Sequence, residues 1–130
     1  MAQYSLINLK ELEDSSGAQT PEIEGRFARK HLDSRELGVS YWRYAPGFRS
    51  RFGHHHREQE EAYVVVSGSG RMKLDDDVRQ LRQWDVVRVA PEVVRAFEAG
   101  PDGLEIIAVG SARPEGGDGV AVPEWWTDAS

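Results

Sequence analysis

The 130-residue sequence predicts an all-β domain, a sandwich or barrel of short strands with little helix. Short stretches rich in β-branched and aromatic residues recur at intervals of roughly ten residues, each bounded by turn residues. Little of the chain follows the 3.6-residue apolar period of a helix. No longer period repeats, so a solenoid or propeller is not expected.

Taken in order, "LKELED" near the start has the pattern for a turn or two of helix, and "SSGAQTPEIEG" (Ser15–Gly25) reads as a loop. "GVSYWRYAPG" is a strand closed by Pro46-Gly47. "EAYVVVSGSG" is a second strand, with Ser67–Gly70 as the hairpin turn that leads into "RMKLDDD". "VRQL", "WDVVRVAP", "VVRAFEAGPDG" and "LEIIAVG" follow as short strands, and "SARPEGGDG" (Ser111–Gly119) as a further loop. Trp125 and Trp126 are large apolar side chains beside a terminus, where disorder is the default, so the tail is expected to fold back onto the barrel or a partner subunit. The expected organisation is one domain over residues 1–130. It has an N-terminal segment (1–25), a barrel core (39–110) and a C-terminal tail (111–130).

Composition bounds the function. A chain of this length buries about two-thirds of its unfolded surface and needs no covalent staple. It has no cysteine, which excludes disulfides, Cys-ligated metal and a thiol nucleophile, and is compatible with the cytoplasm, the compartment expected. The N-terminus lacks the pattern of a secretory signal, and the apolar runs are too short to span a bilayer. Net charge is −6 and the arginines are scattered, so neither nucleic acid nor membrane is expected as a partner.

Three of the four histidines sit together in "GHHHREQEEAYVVV". The run is internal and flanked by strand-like segments, unlike a purification tag. In an extended chain residues two apart share a face, so His54 and His56 point together and His55 points away. Glu61 opens the next strand, and Tyr63 shares its face. Two imidazoles and a carboxylate on facing strands suit one divalent ion, zinc, nickel, iron or manganese, with an open position. The competing reading is a solvated loop.

His54-x-His56, four residues, Glu61, six residues, Gly68 resembles the first motif of the cupin superfamily, and "WDVVRVAPEVVRAF" is similar to the second. The resemblance covers roughly residues 39–110. It implies a small jelly-roll barrel, often a homodimer joined through an edge strand or an exchanged N-terminal segment. Several positions depart from the pattern. Phe48 stands for the leading glycine, Trp84 for the glycine before Asp85, and Glu92 follows Pro91 where glycine is usual. Most consequentially, Arg95 occupies the position of the third histidine ligand.

An arginine stays protonated and has no lone pair to donate to a metal. Two unit charges ~4 Å apart at an effective dielectric of about 20 interact by about 4 kcal/mol, and a dication feels about twice that. Three roles therefore stand open for Arg95. It could pair with Glu61 in place of a metal, or clamp a small anionic ligand beside His54 and His56. Or it could turn outward and leave a three-ligand site of His54, His56 and Glu61. The corresponding functions are a small-molecule-binding domain with an incomplete metal site, or a metal-dependent enzyme of dioxygenase or isomerase type. Arg95, Tyr63 and Arg43 are the candidate ligand-binding residues, Arg43 as part of a positive barrel mouth with Arg49 and Arg51. "SGSG" lacks the Lys-Ser/Thr and following helix of a phosphate loop, and Asp75–Asp77 lacks the glycine and glutamate of a calcium loop.

Overall fold

The computed structural model describes residues 3–15 and 21–127. Eight strands appear wherever β-branched and aromatic residues alternate with polar ones: β1 (Ile23–Phe27), β2 (Gly38–Tyr44), β3 (Phe52–His56), β4 (Glu61–Leu74), β5 (Asp77–Arg82), β6 (Val86–Val89), β7 (Arg95–Gly110) and β8 (Gly119–Pro123). Among the described residues, helix is confined to a 3-10 turn at Leu9–Glu11 and one short helix, α1 (Arg29–Leu32). All pairings are antiparallel, and the sheet curls into a half-barrel.

The two long strands carry the curl. β4 and β7 pair along most of their length, with register shifts between Val65 and Ser67 and between Gly68 and Gly70. "SGSG" is therefore not the hairpin turn expected from its composition; it is a bend inside β4. The same correction applies to "GPDG", which reads as a break between two strands but lies within β7. These segments face each other where two backbones approach too closely for side chains. A Cβ on Gly68 (φ +79°) would lie 2.1 Å from the Gly103 carbonyl oxygen, and one on Gly70 would lie 2.3 Å from that of Glu98. Glycine is needed there for the bend, just as it would be for a turn. The true hairpin between β4 and β5 falls at Asp75-Asp76, with Asp75 in the left-handed region at φ 52°.

Two further expectations change. Residues 23–25, assigned to a loop, belong to β1, which pairs with β2 (residues 16–20 of that loop lie outside the described residues). β8 follows the loop after β7 and pairs with β3. The tail does fold back onto the barrel: the Lys73 ammonium lies 3.7 Å above the Trp125 ring, and Trp126 Nε1 donates to the Ser50 carbonyl at 3.0 Å. Residues 128–130 are outside the described set. Inside the curl, Val65, Met72, Val89, Leu104 and Ile106 are almost fully buried, each stabilising the fold by about 1.5–3 kcal/mol. Among the described residues, no helix is long and apolar enough to cross a membrane.

Candidate functional site

His54 and His56 project from β3 on one face, their rings edge to face with centroids 5.2 Å apart. Strand alternation puts them there, as the sequence predicts. Glu61 opens β4 across from them: its Oε1 lies 3.6 Å from His54 Nε2 and 3.1 Å from His56 Nε2. One potential donor atom from each of the three residues falls within 4.8 Å of the others, a grouping that could hold a metal ion.

Arg95 reaches the same oxygen. It opens β7 directly opposite His54 in the antiparallel register, which carries its side chain into the site. Its side chain has no solvent exposure, and Nη2 donates to Glu61 Oε1 at 2.7 Å. Nε donates to the Tyr63 hydroxyl at 3.2 Å, and Nη1 to the carbonyls of Val93 at 2.7 Å and Pro91 at 3.2 Å. The guanidinium is thus occupied on all sides by the protein itself. Of the three roles open to it, the structure adopts the ion pair with Glu61.

Tyr63 bridges the pair. Its ring packs edge to face on Phe97 at 5.1 Å, while its hydroxyl donates to Glu61 Oε1 at 2.5 Å. Burial disfavours a charged Glu61, but the nearby His54 and hydrogen bonds to His56, Tyr63 and Arg95 outweigh it and hold the carboxyl far below the usual carboxylate range. Tyr63 is pushed the other way, first by burial and then by the Glu61 charge, so its hydroxyl keeps its proton.

Asp118 completes the site and is missed by sequence reasoning. It sits in the loop before β8, buried, with Oδ1 2.8 Å from His56 Nδ1. Its Oδ2 accepts the backbone amides of Glu58 and Gln59 at 2.7 and 2.9 Å, pinning the turn that delivers Glu61. Burial raises its pKa, but the two amides and His56 prevail and set it at about 2. The available signal was "DGVAVP", an acidic residue ahead of a short alternating strand. His56 now stands between two carboxylate oxygens. With one ring proton directed to Asp118, Nε2 turns a lone pair toward Glu61 Oε1, and a cation between them, proton or metal, removes the clash.

Above these residues lies a cavity of about 300 Å³. His54, His56, Gln59, Glu61 and Tyr63 form its polar end, and Phe27, Val39, Trp42, Phe97 and Ile106 much of its apolar wall. Arg95 is absent from the wall: it lies behind Glu61 and Tyr63. Arg43 is elsewhere, with Nε 2.9 Å from Glu24 Oε1 on the β1–β2 face, and neither Arg49 nor Arg51 lines the cavity. Two arginines not singled out in the sequence, Arg29 and Arg113, do line it.

A metal ion can be tested against this donor set. The imidazoles and carboxylate are suitable in kind and spacing. The neighbouring charge is not: an ion on Glu61 Oε1 would share that oxygen with a buried guanidinium nitrogen 2.7 Å from it. Repulsion of several kcal/mol follows, on the scale of about 4 kcal/mol per pair of unit charges near 4 Å.

No protein-family model matches the sequence, and no curated protein matches it either. Solved structures do. A cupin protein from Bacteroides fragilis superposes with a TM-score of 0.71 at 21% identity, over 88% of this chain and 89% of that one. KdgF from Halomonas sp. matches at TM-score 0.70 and 17% identity, covering 86% and 96%. Oxalate decarboxylase from Bacillus subtilis matches at TM-score 0.74 and 17% identity, but this chain covers only 31% of its length. At such identities the likeness establishes architecture and leaves chemistry to the site itself. The chain therefore has the curled antiparallel β-sheet fold of these cupin and double-stranded β-helix proteins.

Proposed function

We propose that this protein binds a small organic molecule in the barrel cavity without help from a metal. The observation that carries this reading is the placement of Arg95: a fully buried guanidinium hydrogen-bonded to Glu61 and Tyr63, in the position where the cupin pattern has a third histidine. Glu61 then serves as an anchored polar floor. His54, half-exposed beside it, presents its imidazole to a ligand. The cavity has the form of a ligand site, a concave and mostly apolar wall with a small number of polar groups facing into it.

The grouping of His54, His56 and Glu61 favours a second reading, a metal-dependent enzyme. In that case the metal would supply Lewis-acid polarisation of a substrate oxygen. Tyr63 and Arg95 would fix the orientation of Glu61, and Asp118 that of His56.

The two readings separate in a fragment screen by ligand-observed NMR, run in excess EDTA on the parent and on Ala108→Leu, which fills part of the cavity. Binding that persists in EDTA and weakens in Ala108→Leu supports the metal-free cavity. Binding abolished by EDTA and restored by a divalent ion supports the enzyme reading. Binding indifferent to Ala108→Leu would place the ligand outside the barrel and defeat both.

A further inference from the structure

We propose that Arg29 and Arg113 form an anion clamp on the cavity wall, so that the ligand is an organic acid with an apolar body. This deepens the proposed function and rests on the cavity being the binding site. The two guanidiniums come from distant parts of the chain, Arg29 from α1 and Arg113 from the loop between β7 and β8, and both line the cavity. They are within electrostatic range of each other: after burial, the Arg113 charge is the next largest influence lowering the Arg29 pKa.

What distinguishes them is that they line the cavity and lack an ion-pair partner there. Arg26, Arg43, Arg49, Arg71 and Arg88 each face a carboxylate. Among the described residues, Arg29 and Arg113 have none within ion-pair distance. The one carboxylate on the cavity wall, Glu61, is already engaged by Arg95, Tyr63 and His56. Glu61 offsets the Arg29 charge only from a distance and less than Arg113 opposes it, so an incoming anion between the two arginines recovers free energy.

Both side chains are also seated. Arg29 Nη2 donates to the Ser111 carbonyl at 2.8 Å, and Gly38 beneath it leaves room: a Cβ there would lie 2.3 Å from Nη2. Gly117 (φ +86°) does the same for Arg113, where a Cβ would come within 2.8 Å of Nη1. Arg29 keeps Nε and Nη1 without partners among the described residues, a fork suited to a planar carboxylate or a phosphate. Phe27 and Trp42, edge to face at 5.1 Å, supply apolar surface on the same wall, so an inorganic ion alone would leave most of the cavity unused.

The test is a calorimetric titration in EDTA with phenylacetate and 3-phenylpropionate, each beside its neutral amide, together with phenyl phosphate and inorganic phosphate. The acids should bind, and the amides about tenfold more weakly, the scale of one charge-assisted contact. Arg113→Gln, at an exposed loop position that does not threaten folding, should weaken the acids about fivefold or more and leave the amides unchanged. Arg29→Gln should act in the same direction. A preference between phenyl phosphate and the carboxylates identifies the acid group. Equal binding of acids and amides, or acids indifferent to both variants, would overturn the clamp while leaving the cavity reading intact. Inorganic phosphate binding as tightly as the acids would overturn the need for an apolar body. No binding by any of the compounds counts against clamp and cavity together.

Discussion

Replacing Arg95 by methionine removes the charge while keeping most of the side-chain length, and its cost follows from the contacts the guanidinium makes. Glu61 loses the donor at 2.7 Å, the Tyr63 hydroxyl loses Nε at 3.2 Å, and the Val93 and Pro91 carbonyls lose theirs. Breaking a buried ion pair from one side typically costs about 3–5 kcal/mol, because the remaining charge stays buried and uncompensated. The orphaned carbonyls add to this, though not independently. For a domain of this length each kcal/mol lowers Tm by roughly 3–5 °C, so Arg95→Met should melt ~10–20 °C below the parent. Urea titration followed by tryptophan fluorescence gives the free energy directly, with an unchanged slope if the unfolded state is unaffected. The most informative comparison is the double-mutant cycle with Glu61→Gln. Either single change strands a charge, whereas the double change strands none, so the double variant should be more stable than the sum of the singles by about 2 kcal/mol or more. Additive costs, or an Arg95→Met cost below about 1 kcal/mol, would refute the claim that the two form one buried unit.

Other consequences are equally open to measurement. Asp118→Ala removes the acceptor for His56 and two backbone amides, so it should cost about 2–4 kcal/mol in urea melts and accelerate hydrogen exchange at Glu58 and Gln59. Gly68→Ala faces both a positive φ and a carbonyl oxygen 2.1 Å away, and should cost at least about 2 kcal/mol; Gly116→Ala, with φ +84° and open space around it, should cost only about 1 kcal/mol. Glu24 is held at about 2 by Arg26, then Arg43, with Lys10 assisting. A depressed carboxyl stabilises the fold above its unfolded pKa and loses that contribution as pH falls toward the folded one. Stability should therefore drop by about 1–2 kcal/mol, discounted for its exposed partners, between about pH 4.5 and 2, and Glu24→Gln should flatten that part of the profile.

How much was legible in the sequence depended on how local the signal was. Alternation puts His54 with His56 and Glu61 with Tyr63, because strand period is a property of neighbouring residues; that the two pairs meet follows from the motif resemblance and not from the period. The departure at Arg95 was visible too, but not its direction. That depends on the His54–Arg95 register, a pairing of residues 41 positions apart that no local pattern encodes. "SGSG" illustrates a different limit: glycine in a turn and glycine where two strands cross look identical in sequence, since both answer a need for positive φ or absent Cβ. Asp118 and Arg113 escaped notice because they lie in a loop with no periodicity, tied to the site only by β8 and by the cavity wall. Arg29 sits on a four-residue helix, too short to show an amphipathic pattern.

The central claim is that Arg95 excludes a metal from a site otherwise built for one. Elemental analysis measures this most directly, on untagged protein purified without an immobilised-metal column, since three adjacent histidines collect nickel from the resin. Parent, Arg95→His and His56→Ala should be dialysed together against a mixture of zinc, nickel, iron and manganese salts and then against buffer. The account predicts a parent with far less than one ion per chain, near-stoichiometric metal in Arg95→His, and none in His56→Ala. A parent that holds close to one ion per chain, lost in His56→Ala, would contradict it and make the metal-dependent enzyme the correct reading.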